Sequence, residues 1–385
     1  MIRFPLLNIF PGLLLFSAFI TPSTAICSAS PAETTPVDLK KMSIEQLMDV
    51  EVDTVYGASR YTQKLSEAPS SVTIVTADDI KKYGQRTLAD ILRSVRGFYV
   101  TYDRNYSYVG TRGFGHTGDY NNRVLLLVDG HRLNENLYDS APVDTEFLVD
   151  VDLIERVEII RGPGSSLYGS NAFFAVINVI TRKGEDIGGF ETAAATGSFD
   201  TYKGRITYGN SFGNGIGALI SGTYYNSIGD NLFFKEFATP ASNFGMTDHT
   251  DFDRYHNTLV KFSVADFALE AAYSSRTKGM PTGAYDIDFN DRRNRTTDAH
   301  WFANLKYSRK FGENIDVTGN LSYNSYDYYG DYIYQGVVNK DQAQGDWWEG
   351  ELQANIRLLD RHKIVVGTEY RDNFRQDQEN FDDAP

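Results

Sequence analysis

The second half of the chain is written in period two, and no other feature limits its fold so tightly. Val260, Phe262 and Val264 alternate with Lys261 and Ser263. Trp301, Ala303, Leu305 and Tyr307 alternate with Phe302, Asn304, Lys306 and Ser308, and Ile315 to Tyr323, Phe267 to Tyr273 and Leu352 to Leu358 repeat the pattern. Strand side chains point to opposite faces in turn, so each segment has one apolar and one polar face. A soluble β-sandwich alternates too, but these segments run to about ten residues or more, the length of a tilted strand crossing a bilayer. The connections between them also differ in kind. Short ones fall near Asp200, Gly213 to Gly215, Asp266, Gly312 and Asp360; long ones span Gly229 to His256, Arg276 to Asp298 and Asp327 to Asp346. Short turns at one rim and long loops at the other are the asymmetry of an outer-membrane barrel.

Composition agrees: the chain is polar on average yet 14% aromatic, with 25 Tyr and 24 Phe, as a wall with aromatic girdles at two lipid interfaces requires. About nine strands are expected across residues 185–385. Bacterial single-chain barrels use even numbers, and one wide enough to hold a folded domain needs roughly 22 strands. The sequence is therefore expected to be the first part of a longer barrel. A net charge of −14 excludes a nucleic-acid partner, which needs a basic face.

Residues 1–29 have the form of a secretory leader: Arg3, an apolar run from Leu6 to Phe19, and small residues ahead of cleavage after Ala25 or Ala29. Cys27 is the single cysteine and lies in or beside this leader, so no disulfide framework is expected. Residues 30–49 are polar and expected to be flexible, with a short amphipathic turn capped by Ser43 and Gln46.

Residues 57–184 change texture again and predict a small α+β domain. SVTIVT, GFYVTY, RVLLLVDG, ERVEIIRG and AVINVITRK are strand-like. Thr76 with Asp79, and Thr87 with Asp90, have the spacing of helix N-caps. Asp129-Gly130 marks a tight turn. A compact α+β unit in front of a barrel is the layout of a plugged pore. The expected fold is thus an α+β plug domain followed by a transmembrane antiparallel β-barrel.

Enzyme chemistry finds no support. Gly113, Gly115 and Gly118 have dinucleotide-fingerprint spacing but lead into a strand rather than a helix. Gly164 to Gly169 has P-loop glycine spacing, but Ser170 and Asn171 stand where Lys and Ser/Thr are required. The six histidines form no close metal-ligand pair.

Four groups of residues remain. The strip Glu51, Val52, Asp53, Thr54, Val55 and Tyr56 is short and β-prone; it reads equally as an edge for strand addition by a partner and as the first plug strand. Arg96, Arg112 and Arg161 sit in apolar or glycine-rich text; if buried they need carboxylates such as Glu155 and Glu158, which makes plug–barrel ion pairs one reading and solvated surface the other. Asp248, Asp251 and Asp253, with Asp286, Asp288, Asn290 and Asp291 in a second loop, are oxygen clusters able to hold Ca²⁺ or to sit in solvent. The aromatic run Tyr326 to Gln335 suits either stacking on a ring-bearing ligand or a place in the girdle.

Residues 50–184 resemble the plug domain of TonB-dependent outer-membrane receptors, which import ferric siderophores, haem, cobalamin and some glycans. The resemblance is carried by APSSVTIVTADDI, TLADILRSVRGFYV, GTRGF, RVLLLVDGHRLN and IERVEIIRGPGSSLYGSNAFFAVINVITRK. It implies a TonB box at residues 50–56, where Asp53 to Tyr56 is the closest match, and hence TonB as a partner. It implies outward plug loops that touch ligand at Thr101 to Tyr108 and Asn134 to Asp144, giving Tyr102, Asn105, Tyr106, Asn134, Asn136 and Tyr138 as candidate contacts. It also implies a location in the Gram-negative outer membrane, contact with its lipid, an iron chelate or cobalamin as cargo, and no required cofactor beyond the Ca²⁺ already considered. A passive porin or adhesin barrel, and an outer-membrane barrel enzyme, are the alternatives.

Overall fold

The computed structural model describes residues 54–55, 63–64, 71–213, 215–358 and 362–383. The leader, the capped turn at Ser43, and Glu51, Val52, Asp53 and Tyr56 lie outside these residues. Two short strands come first, β1 (Thr54–Val55) and β2 (Gln63–Lys64), paired antiparallel.

The plug follows. β3 (Ser71–Thr76) leads into α1 (Ala77–Lys82), where Thr76 and Asp79 cap each other reciprocally. Thr87 caps α2 (Leu88–Arg93) by accepting from the Asp90 amide at 3.1 Å. These caps satisfy amide donors that an isolated helix end leaves open, so both starts are set locally. Next come β4 (Phe98–Tyr102), β5 (Ser107–Thr111), β6 (Val124–Val128) and β7 (His131–Arg132). Asp129 and Gly130 both take positive φ, 48° and 89°, and turn β6 tightly into β7. β8 (Ile154–Arg161), α3 (Ser165–Tyr168), β9 (Ala175–Thr181) and α4 (Gly184–Ile187) complete the domain. Its main sheet has the order β3-β8-β9-β6-β7, with β6 and β9 parallel. Val124 to Val128 are all buried, which explains the uninterrupted apolar run VLLLV.

Nine further strands form one antiparallel sheet in sequence order: β10 (Gly189–Gly197), β11 (Thr201–Ser211), β12 (Gly217–Ser227), β13 (Asp253–Val264), β14 (Phe267–Gly279), β15 (Arg295–Phe311), β16 (Ile315–Tyr334), β17 (Val337–Leu358) and β18 (His362–Asp383). β12–β13 and β14–β15 are joined by long loops at one rim, and short turns join β11–β12, β13–β14 and β15–β16 at the opposite rim; the short turn at Asp200, between β10 and β11, lies on the long-loop rim. The third expected long loop is not one. Residues 327–346 continue the strands into a hairpin whose turn is Gln335-Gly336, with φ of 51° and 83°. Alternation persists through Tyr328, Tyr332 and Tyr334, and a two-residue positive-φ turn closes the ladder without a loop.

The two faces of the wall differ as the period-two pattern demands. Leu269, Leu305 and Leu321 are register neighbours on the outer face, each more than 40% exposed. Aromatic pairs border that band. Phe267 and Tyr307 lie 5.1 Å apart towards the short-turn rim, and Trp301, Tyr323 and Trp348 form a row with 5.0 and 4.9 Å spacings towards the loop rim. The inner face meets the plug. Leu219, Leu259, Ala272 and Phe302 of the wall join the plug's own hydrophobic core, so plug and wall share one core.

Candidate ligand-binding site and plug interface

A cavity of about 400 Å³ lies at the long-loop rim, between plug loops and wall. The plug supplies Asn105, Tyr106, Tyr120, Glu135 and Tyr138; the wall and its loops supply Met280, Tyr285, Asp298, Tyr328 and Tyr332. Its tyrosines touch one another. Tyr106 meets Tyr120 edge-on at 5.7 Å, Tyr285 meets Tyr332 edge-on at 6.1 Å, and the Tyr328 and Tyr332 hydroxyls are hydrogen-bonded. Rings fixed in this way present flat apolar faces with a polar rim, suited to a large ring-bearing or amphiphilic ligand.

Of the six candidate ligand contacts, Asn105, Tyr106 and Tyr138 line this cavity. Tyr102 lines a separate groove beside Arg104 and Asp253. Asn134 is fully buried and structural: its Oδ1 accepts from the Leu126 amide, and its Nδ2 donates to the Val124 and Asp139 carbonyls. Asn136 donates to the Arg375 carbonyl of β18 at 3.0 Å and so fastens plug to wall. Alternation divides the aromatic run Tyr326 to Gln335 between the two faces of the wall. Tyr326, Tyr328 and Tyr332 face the cavity, whereas Tyr329 is on the exposed face.

Glu135 organises the plug loop beneath the cavity. Its carboxylate accepts from the amides of Leu137, Tyr138 and Ser140 and from the Ser140 hydroxyl. Burial nonetheless raises its pKa. Burial and the neighbouring Glu146 push Asp144 up to about 6, with Ser107 Oγ donating to it.

The expected plug–barrel ion pairs lie elsewhere. Arg161 donates to the Arg96 carbonyl and to Ser71, inside the plug. Arg96 and Arg112 are exposed, and Arg112 has a φ of 51°. Glu155 and Glu158 both pair with Arg156, at 2.7 and 3.0 Å. An arginine in glycine-rich text marks backbone turns here; its guanidinium finds partners close by. The plug-to-wall pairs that follow are others, 53 or more residues apart and invisible to local reading. At the short-turn end, Lys261 Nζ donates to Asp129 Oδ2 at 2.9 Å and to Thr181 Oγ1 at 2.6 Å. Asp150 binds Lys203 at 2.7 Å and Thr223 at 2.9 Å. At mid-height His131 packs at a tilt against Phe302, with ring centres 4.2 Å apart, and meets Asn324 at 2.9 Å. Near the cavity floor Arg276, fully buried, donates to the Asn105 carbonyl at 2.7 Å amid Glu146, Asp253 and Asp298.

The acidic loop does not form the Ca²⁺ cage considered for it. Asp248 pairs with His249 and Arg292, Asp251 with Lys278 and Arg104, and Asp253 with Arg276. Each carboxylate thus faces a different cation. Among the described residues no three His, Cys, Asp or Glu side chains converge as a metal centre would need. Of the strip at residues 51–56, Thr54 and Val55 are described, and they already pair with Lys64 and Gln63.

Comparison with known proteins follows the same division. Residues 64–176 match the sequence model of the TonB-dependent Receptor Plug Domain. The chain is 28% identical over 351 residues to the vitamin B12 transporter BtuB of Vibrio vulnificus (strain CMCP6), across 86% of this chain and 50% of that protein. It is 37% identical over 133 residues to the iron-regulated outer membrane virulence protein of Vibrio cholerae serotype O1 (strain ATCC 39541), across 34% of this chain and 20% of that protein. Two solved structures share its fold at 18% identity and a TM-score of 0.62: the ferric yersiniabactin uptake receptor FyuA from Yersinia pestis, over 82% of this chain and 50% of that one, and the pyoverdine outer membrane receptor FpvA from Pseudomonas aeruginosa PAO1, over 83% and 48%. The chain spans half the length, or less, of the curated relatives named here. With a plug-domain match over residues 64–176, an antiparallel wall packed on that plug, and these relatives, the chain is similar to TonB-dependent outer-membrane receptors in both of its parts.

Proposed function

We propose that this protein imports a scarce, large solute across the Gram-negative outer membrane, with a ferric siderophore the first candidate and cobalamin or haem the next. The observation that carries the reading is the tyrosine-lined cavity at the long-loop rim, floored by the plug that stoppers the wall. A solute bound there rests on Tyr138 and on Asn105 and Tyr106, the last two on the plug loop whose backbone Arg276 holds. Occupancy therefore acts on the plug–wall contacts directly.

Release then needs the plug to be remodelled, because its core is shared with Leu219, Leu259, Ala272 and Phe302. A shared apolar core does not open by itself, so work must come from outside. TonB, drawing on the inner-membrane proton-motive force, is the proposed source, and strand addition at residues 51–56 is the proposed grip. The β1–β2 pairing gives that grip a competitor: a partner strand must take the free edge of β1 or displace β2. The relatives are transporters and receptors, and the work transferred is mechanical; no residue is assigned a catalytic role.

Uptake of labelled ferric siderophores, cobalamin and haem is to be compared in cells with and without TonB, expressing the full natural protein. Energy-dependent uptake of one solute, abolished without TonB or when residues 51–56 are deleted, is the expected result. Equal uptake in both strains would replace this reading with a passive pore.

A further inference from the structure

We propose that the loop-rim cavity selects its solute by positive charge as well as by an apolar or aromatic body, so that a cationic chelate or cofactor is preferred over an anionic one. The inference rests on the reading of that cavity as the ligand site and narrows the class of solute it takes.

Charge on its walls is one-sided. Among the described residues Asp103, Glu135, Glu146, Asp298 and Asp341 line it, against Arg104 alone among lysines and arginines. Arg104 is itself engaged with Asp251 at 3.3 Å. Arg276, just behind the wall, divides its charge among Asp253, Glu146 and Asp298. Several of the acids are also held by neutral donors, which favour their charged form, while burial pulls Glu135 and Glu146 the other way. Asp103 accepts from the Asn105 and Tyr106 amides and the Tyr108 hydroxyl; Asp298 accepts from the Tyr106 and Tyr326 hydroxyls.

A second observation points to a ligand. His300 Nε2, on a cavity-lining residue that is more than nine-tenths buried, has no hydrogen-bond partner. Buried polar atoms are normally satisfied, and unsatisfied ones beside a cavity suit a group supplied from outside. The tyrosine rings add to this. Their faces carry the negative part of the ring quadrupole and attract a cation placed over them. A recess with acidic, low-dielectric walls concentrates cations and repels anions before contact is made.

The test uses two dyes that share a xanthene body and differ in charge, the rhodamine 6G cation and the fluorescein dianion. Each is titrated by fluorescence anisotropy against the full natural protein in zwitterionic micelles, at low and high salt. Rhodamine 6G should bind at least tenfold more tightly at low salt. The preference should shrink severalfold in high salt and in Asp341→Asn, while Tyr285→Ala should weaken both dyes alike. Equal binding, or tighter binding of fluorescein, overturns charge selection and leaves the transport reading standing. If neither dye binds, the ligand-site reading falls and the inference with it. A retained rhodamine preference in a protein whose uptake ignores TonB would remove the transport reading and support charge selection.

Discussion

Asp129 of the plug and Lys261 of β13 meet at 2.9 Å, and the same lysine holds Thr181 on the neighbouring plug strand. One wall cation thus clamps the β6–β7 turn and the end of β9 together. Burial opposes charge on Asp129, but Lys261 and the bonds from Thr181 outweigh it and lower its pKa. A depressed carboxyl pKa stabilises above the unfolded value and loses that contribution as pH falls below about 4. Asp129→Asn keeps a side chain that tolerates the positive φ and removes the charge. It should destabilise plug docking by roughly 3 kcal/mol, since it strands a half-buried ammonium. Asp129→Asn with Lys261→Met should recover part of the loss. Hydrogen exchange of residues 124–132 and 175–181 reads the effect.

His131 sets a second pH dependence, with its own sign. Burial, together with Arg371 and Arg132 and against the bond to Asn324, lowers its pKa from 6.5 to about 4. The unfolded imidazole takes a proton first, so stability should fall as pH drops from about 6.5 to 4, by on the order of 3 kcal/mol. Asp144 acts oppositely: its carboxyl, raised to about 6, favours the folded state as pH falls through the same window. The difference in denaturation free energy between the natural protein and His131→Gln isolates the histidine. A difference that is flat with pH would rule out its titration.

Tyr332 is tied to Tyr328 by its hydroxyl and stands edge-on to Tyr285. Tyr332→Ala should leave the wall assembled, because β16 pairs through its backbone. It should weaken solute binding roughly tenfold, the scale of one lost aromatic contact together with its buried area. Equilibrium binding to purified protein checks this, and unchanged affinity would move the ligand site elsewhere.

Leu305 sits in the outer apolar band between Leu269 and Leu321. Leu305→Arg should cost about 2–4 kcal/mol in folding into lipid if that position is near mid-bilayer. Refolding into liposomes under a urea gradient measures it. A neutral outcome would mean the band does not face hydrocarbon.

Much of this architecture is legible one residue at a time. The caps at Thr76 and Thr87, the turn at Asp129-Gly130 and the alternation from Val260 to Leu358 depend on contacts within a few positions. They follow from hydrogen bonds and side-chain direction that the local sequence already contains. Alternation even resolves the tyrosine run after Tyr326, once its phase is known. That phase, and the extension of β16 and β17 through residues 327–346, came from pairing across the ladder.

What tertiary structure alone decided is which charges meet. Asp129 and Lys261, Asp150 and Lys203, and Glu146 and Arg276 lie far apart in sequence, and nothing in their neighbours marks them as partners. Arg161, Glu155 and Glu158 looked more suggestive and found partners within the plug. The local sequence determines a strand's faces and a helix's start, because those depend on backbone geometry repeated every few residues. It cannot determine an ion pair between plug and wall, because that depends on how two separately patterned surfaces come into register when the wall closes on its stopper.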